Sequence, residues 1–202
     1  MSKAEVTAQP GTQQILISRE FNAPRDLVYR AFTDPELMVQ WLGPRRLTMR
    51  VDRFDLRDGG TWRYVQFEPD GTQHGFHGVF HGTPTPDALV QTFEYEGAPG
   101  HVSLDTLALE EHEGQTTARI NSVHQSVEAR DAMVAAGMTE GLNEGFERLD
   151  ELFSVFDQAS DVASLQRARR PAPEHPPDDA SDQYDRDSDE PMVTDENDDQ
   201  RS

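Results

Sequence analysis

The sequence predicts an α+β fold: a curved, seven-stranded antiparallel sheet wrapped round a long C-terminal helix, with two short helices after the first strand. Three observations predict it. Residues 13–46 read as strand, helix, helix. Residues 47–124 read as short alternating stretches divided by Asp-Gly, Gly-Gly and Pro-containing turns. Residues 126–156 carry apolar groups at helical spacing.

Ile15, Ile17 and Phe21 lie near period two, and Pro24 then stands where a first helical turn tolerates a missing N–H. Leu27, Val28, Ala31 and Phe32 recur at helical spacing. Thr33-Asp34-Pro35 restarts a second helix with Asp34 as N-cap, carrying Leu37, Met38, Trp41 and Leu42 before Gly43-Pro44 ends it. Six further strands are expected near 47–57, 60–67, 73–82, 88–96, 101–110 and 116–124. Their links, such as Asp58-Gly59-Gly60 and Pro69-Asp70-Gly71, supply the positive φ that tight hairpins need. Ser126 is the expected N-cap of a helix running to about Phe156, with a break at Gly137. Its apolar stripe includes Met133, Met138, Leu142, Phe146, Leu149 and Phe153, while Glu140, Glu144, Glu147 and Glu151 fall mostly on the solvent face.

This divides the chain into a flexible N-terminus (1–12), one domain (13–156) and a disordered acidic tail (157–202). The tail is Pro-, Asp- and Ser-rich and has too few apolar groups to offset its ordering entropy. Of 202 residues, 38 are acidic and 18 basic, for a net charge of -20, and the excess is densest in the tail. Such a surface repels phosphate backbones and anionic headgroups, so neither nucleic acid nor membrane is an expected partner. There is no cysteine, hence no disulfide, thiolate nucleophile or Cys-type zinc site. The first eleven residues carry no apolar signal segment, so the expected location is cytoplasmic.

Few features carry chemistry. Gly137, Gly141 and Gly145, four residues apart, each cost roughly 1 kcal/mol in a helix interior. Close packing of the helix on the sheet, or room for a ligand between them, would offset that. Trp62 with Tyr64, and Phe93 with Tyr95, alternate onto single strand faces, and Trp41 ends the second helix. In a curved sheet these rings would line a cavity together with Met138, Leu142 and Phe146 from the long helix. His77 and His81 share a face but are too few for a metal site, so no metal and no cofactor is expected. Arg50, Asp52, Arg63, Asp105 and Arg119 sit on expected strands, where acid–base work in a pocket competes with simple cross-strand pairing. No nucleophile elbow, phosphate loop, dinucleotide fingerprint or zinc-protease motif is present, and no catalytic residue is assigned.

Phe21-Asn22-Ala23-Pro24, Phe32-Thr33-Asp34-Pro35, Trp41-Leu42-Gly43-Pro44, Asp58-Gly59-Gly60-Thr61-Trp62, Gly78-Val79-Phe80-His81 and Gly137-Met138-Thr139-Glu140-Gly141 form an ordered series. It resembles the SRPBCC superfamily, in the bacterial branch related to the C-terminal domain of the heat-shock protein 90 ATPase activator. The resemblance implies a START-like helix-grip fold enclosing a hydrophobic cavity. Gly82 stands where relatives often have an acidic residue, which weighs against a catalytic His81.

Three functions are compatible with that fold. The first is a binding module for a small apolar or aromatic molecule, with Trp41, Trp62, Tyr64, Phe93, Tyr95, Met138, Leu142 and Phe146 shaping its cavity. The second is a cyclase- or hydrolase-type enzyme using the same cavity, which requires a titratable group deep inside it. The third is a chaperone-linked regulator whose surface and tail engage a chaperone partner. Pairing of an exposed strand edge would allow a homodimer.

Overall fold

The computed structural model describes residues 3–168, with side chains described through residue 158. Eight strands and four helices follow in the order β1 (Glu5–Thr7), β2 (Gln14–Phe21), α1 (Arg25–Thr33), α2 (Pro35–Trp41), β3 (Thr48–Phe54), β4 (Thr61–Phe67), β5 (Gln73–Thr85), β6 (Ala88–Tyr95), β7 (Val102–His112), β8 (Gln115–His124), α3 (Val127–Ala135) and α4 (Met138–Ala168). All strands form one sheet in the order β1-β2-β8-β7-β6-β5-β4-β3. From β3 to β8 the chain simply meanders, and β8 then closes the layer by pairing with β2, Ile17 opposite Ile120.

The expected helix-grip arrangement is present, with one strand more than expected. The added strand is β1, in the segment expected to be flexible: Glu5–Thr7 pairs with Leu16–Ser18, and Val6 packs against the core beside Ile17. Three residues make a weak sequence signal, and it is the neighbouring edge of β2 that recruits them. Asp34 caps α2 by accepting the Glu36 N–H at 3.0 Å, and Ser126 caps α3 by accepting the Ala129 N–H at 3.1 Å. The expected break falls at Gly137, whose φ of 83° is a left-handed value that glycine adopts without strain. Past it α4 runs to Ala168 rather than ending near Phe156. The rest of the expected acidic tail, 169–202, lies outside the described residues.

Helix α4 lies along the concave face and fills one end of it. Phe146, Leu149 and Phe153 are buried there. The Phe21 ring meets Phe146 and Phe153 edge-on, with centroids 5.4 and 5.8 Å apart. Each such contact adds about 1 kcal/mol to the burial itself. Deep in this seam Arg19 of β2 donates to Asp150 of α4 at 2.5 Å, with the Arg19 side chain only 3% exposed.

The glycine row does not face the sheet. A Cβ at Gly141 would meet Pro44, and one at Gly145 would stand 3.1 Å from the Trp41 carbonyl and 3.3 Å from the Gly43 nitrogen. These glycines let α4 approach the α2–β3 loop, whose backbone it also holds through polar contacts. Glu144 accepts the Arg45 N–H at 2.8 Å, Arg148 donates to the Gly43 carbonyl at 3.2 Å, and Arg45 donates to both oxygens of Glu151.

Two stability experiments follow from this packing. Gly145→Ala gains about 1 kcal/mol of helix propensity, but the loop backbone must retreat, at a cost of about 1–3 kcal/mol. The variant is expected to unfold at lower urea concentration, and a higher midpoint would show that the loop yields freely. Asp150→Ala removes the carboxylate to which the buried Arg19 donates and is expected to cost about 3–5 kcal/mol, whereas Arg19→Met with Asp150→Leu is expected to cost far less. Equal losses in the two would show that the charge pairing is not what the seam depends on.

Candidate ligand-binding site

Where α4 begins, the concave face is not filled. A cavity of about 260 Å³ opens there between the sheet and α2, α3 and the first turns of α4. That is near the lower end of the roughly 300–1,000 Å³ common for small-molecule sites. Its wall on one side is aromatic. Trp62 stacks on Tyr64 with centroids 5.4 Å apart, Phe93 lies 6.0 Å from Trp62, and Phe32 packs on Trp41 at 4.8 Å. Gly78 makes this possible, because a Cβ there would stand 2.7 Å from the Trp62 ring. The helical wall is softer: Met38, Met133 and Met138 line it together with Leu42 and Leu142. Unbranched thioether side chains adapt to more than one ligand shape.

Of the eight residues expected to shape a cavity, Trp41, Trp62, Tyr64, Phe93, Met138 and Leu142 line this one. Tyr95 and Phe146 do not. Tyr95 shares the face of Phe93 but sits past the cavity, against Phe76, with its hydroxyl 3.0 Å from His74 Nδ1. Phe146 is one helical turn too far along α4, where it stacks on Trp41 within the solid core. The two tryptophans also differ in anchorage. Trp41 Nε1 donates to the Ala31 carbonyl at 2.9 Å, whereas Trp62 Nε1 is buried with no hydrogen-bond partner among the described residues.

The opposite wall is polar, and sequence reasoning missed most of it. Ser103 and Asp105 on β7, Ser122 and His124 on β8 and Gln91 on β6 all line the cavity. Register brings them together, Ser103 opposite His124 and Asp105 opposite Ser122. Asp105 Oδ1 accepts from the Ser103 hydroxyl at 2.9 Å and the Ser122 hydroxyl at 2.5 Å. Burial pushes the Asp105 carboxyl above its ordinary value, outweighing those two hydrogen bonds and the nearby His124. Burial likewise lowers His124, opposed by Asp105 and reinforced by Arg130. Tyr64 is raised by burial and then by the Asp105 charge.

These groups are not a nucleophilic triad. In a triad the carboxylate orients the imidazole, which takes the hydroxyl proton. Here the Ser122 hydroxyl donates its hydrogen bond to the carboxylate, and His124 Nε2 stands 3.4 Å from that hydroxyl with no carboxylate holding it among the described residues.

The other polar candidates lie on the outer sheet face. Arg50 pairs with Asp52 at 2.7 Å, Arg63 bridges Asp52 and Glu96, and Arg119 reaches Glu110 at 3.2 Å. His77 faces Glu94 at 3.7 Å, and His81 is exposed. Among the described residues no cluster of three metal-ligating side chains occurs, and no helix is long and apolar enough to cross a membrane.

A curved sheet gripping a C-terminal helix, with a cavity between them, defines a helix-grip domain of the SRPBCC superfamily. Residues 22–154 match the family described as Activator of Hsp90 ATPase homolog 1-like protein. The chain belongs to that family. Solved structures agree. A Rhodobacter sphaeroides protein is 28% identical with a TM-score of 0.70, over 76% of this chain and 99% of its own. One from Arthrobacter aurescens is 28% identical with a TM-score of 0.68, over 74% and 91%. A third, from Mycobacterium smegmatis, is 25% identical with a TM-score of 0.67, over 73% and 94%. No protein of curated function matches the sequence.

Asp105 gives this site a pH signature. A carboxyl raised by folding contributes stability that is fully present below its ordinary value of 3.8 and is lost as pH rises through the raised value. Asp105→Asn, neutral throughout, is therefore expected to melt above the parent at pH 7. The gap should shrink as pH falls toward 4. A variant less stable at pH 7 would mean that the carboxylate is not buried at a cost.

Proposed function

We propose that the domain is a small-molecule binding module that encloses an apolar or aromatic ligand between the sheet and the start of α4. The observation that carries this reading is the cavity of about 260 Å³ with one aromatic wall and one short polar row. Burial against Trp41, Trp62, Tyr64, Phe93, Met138 and Leu142 would supply affinity, and the polar row would set orientation. An enzyme of cyclase or hydrolase type is the second reading, favoured by Asp105 and His124 standing inside the same cavity. The chaperone-linked reading ranks behind both, because engagement of a partner by surface and tail needs no such cavity.

Native mass spectrometry of the full chain purified from its own host, followed by organic extraction, tests the proposal. A stoichiometric apolar molecule is expected on the parent. It is expected to be lost from Leu142→Trp, whose ring occupies the cavity while preserving the fold. An empty parent that instead retains a second polypeptide would overturn the binding-module reading. Turnover of the extracted molecule by the parent would promote the enzymatic one.

A further inference from the structure

We propose that the ligand is a small aromatic amine, bound as its ammonium ion with Asp105 as counter-ion and the rings of Trp62, Tyr64 and Phe93 around it. This rests on the cavity being a binding site and names the chemistry that site would select. Among the lining residues there is no lysine or arginine, and Asp105 is the single carboxyl. Both hydroxyl hydrogen bonds to Asp105 end on Oδ1. Among the described residues, Oδ2 accepts none and Asp105 forms no ion pair.

The charges nearest Asp105 do not meet this need. Arg130 of α3 donates to the Gln9 carbonyl at 2.8 Å and pairs with Asp131 at 2.8 Å. His124 of β8 is held toward its neutral form by burial, and Tyr64 of β4 is held protonated. A part-buried carboxylate in a largely apolar cavity is costly without a cation, and a ligand ammonium at Oδ2 removes that cost. A neutral alcohol leaves the charge unpaired, and a ligand carboxylate adds a second negative charge beside it. Electron-rich ring faces on the opposite wall favour a cation as well. The strongly acidic chain raises the local concentration of cations over anions.

Isothermal titration calorimetry of the full chain at pH 7 with three probes on one ring system tests this: 1-naphthylmethylamine, 1-naphthylmethanol and 1-naphthoate. The amine is expected to bind at least about tenfold more tightly than the alcohol, and the acid more weakly than both. In Asp105→Asn the amine should lose its advantage, amine and alcohol converging to within about threefold. The comparison within the parent stands whether or not the variant folds. Binding of the alcohol as tight as that of the amine, or an amine preference that survives in Asp105→Asn, would overturn the counter-ion and leave the binding module standing. Failure of all three probes, and of 1-anilinonaphthalene-8-sulfonate, to bind would overturn both.

Discussion

The structure depends on a mismatch between one helix and the sheet it covers. The concave face extends beyond what a single line of helical side chains can fill. Helix α4 resolves this unevenly. Phe146, Leu149 and Phe153 seal one end against Phe21, and the Arg19–Asp150 pair fixes the helix there. At the other end α4 begins abruptly at Met138, after the left-handed Gly137, and only Met138 and Leu142 reach toward the sheet. The cavity is the part of the concave face that α4 leaves uncovered. Helices α2 and α3, the aromatic residues of β4 and β6 and the polar residues of β7 and β8 define its remaining walls.

The glycines of α4 belong to the same solution. Gly141 and Gly145 carry no side chain toward the α2–β3 loop, so helix and loop backbones meet closely, reinforced by the polar contacts of Arg45 and Arg148. This holds Trp41 in place, with its ring stacked on Phe146 on one side and packed on Phe32 on the other. Helix propensity is given up for position. The position obtained is that of an aromatic ring shared between the solid end of the core and the hollow end.

Much of this was legible in the sequence, and what was not has a physical reason. Strand and helix positions followed from period and turn chemistry, because Asp-Gly, Gly-Gly and Pro-Asp steps act locally. The face of each aromatic on β4 and β6 followed from alternation. Alternation did not settle β7, where Asp105 was compatible with either a pocket role or a cross-strand pair. In the structure Leu104 is 44% exposed and Asp105 faces the cavity. The burial pattern holds lower down, where Leu107 and Leu109 are buried opposite Ile120 and Ala118. Polarity therefore changes along one face of one strand pair, and hydrophobic period cannot see a change that occurs along a face rather than between faces. Tyr95 and Phe146 illustrate the other limit, since their faces were right and their distances along the element were not. The length of the hollow is set by where α4 starts, a tertiary fact.

An unfilled volume of this size is not neutral. Apolar surface left unpacked there forgoes contacts in a domain of a kind usually stable by only about 5–15 kcal/mol. To that are added a part-buried carboxyl raised by desolvation and a tryptophan N–H with no acceptor among the described residues. Each could be relieved by substitutions that keep the fold: a larger side chain at Leu142, asparagine at Asp105, phenylalanine at Trp62. These unfavourable features, gathered round one cavity, form the distribution expected where stability is given up for a site. The same terms that weaken the empty protein are those a ligand would reverse on entering: apolar volume filled, a carboxylate paired and water excluded from the aromatic wall.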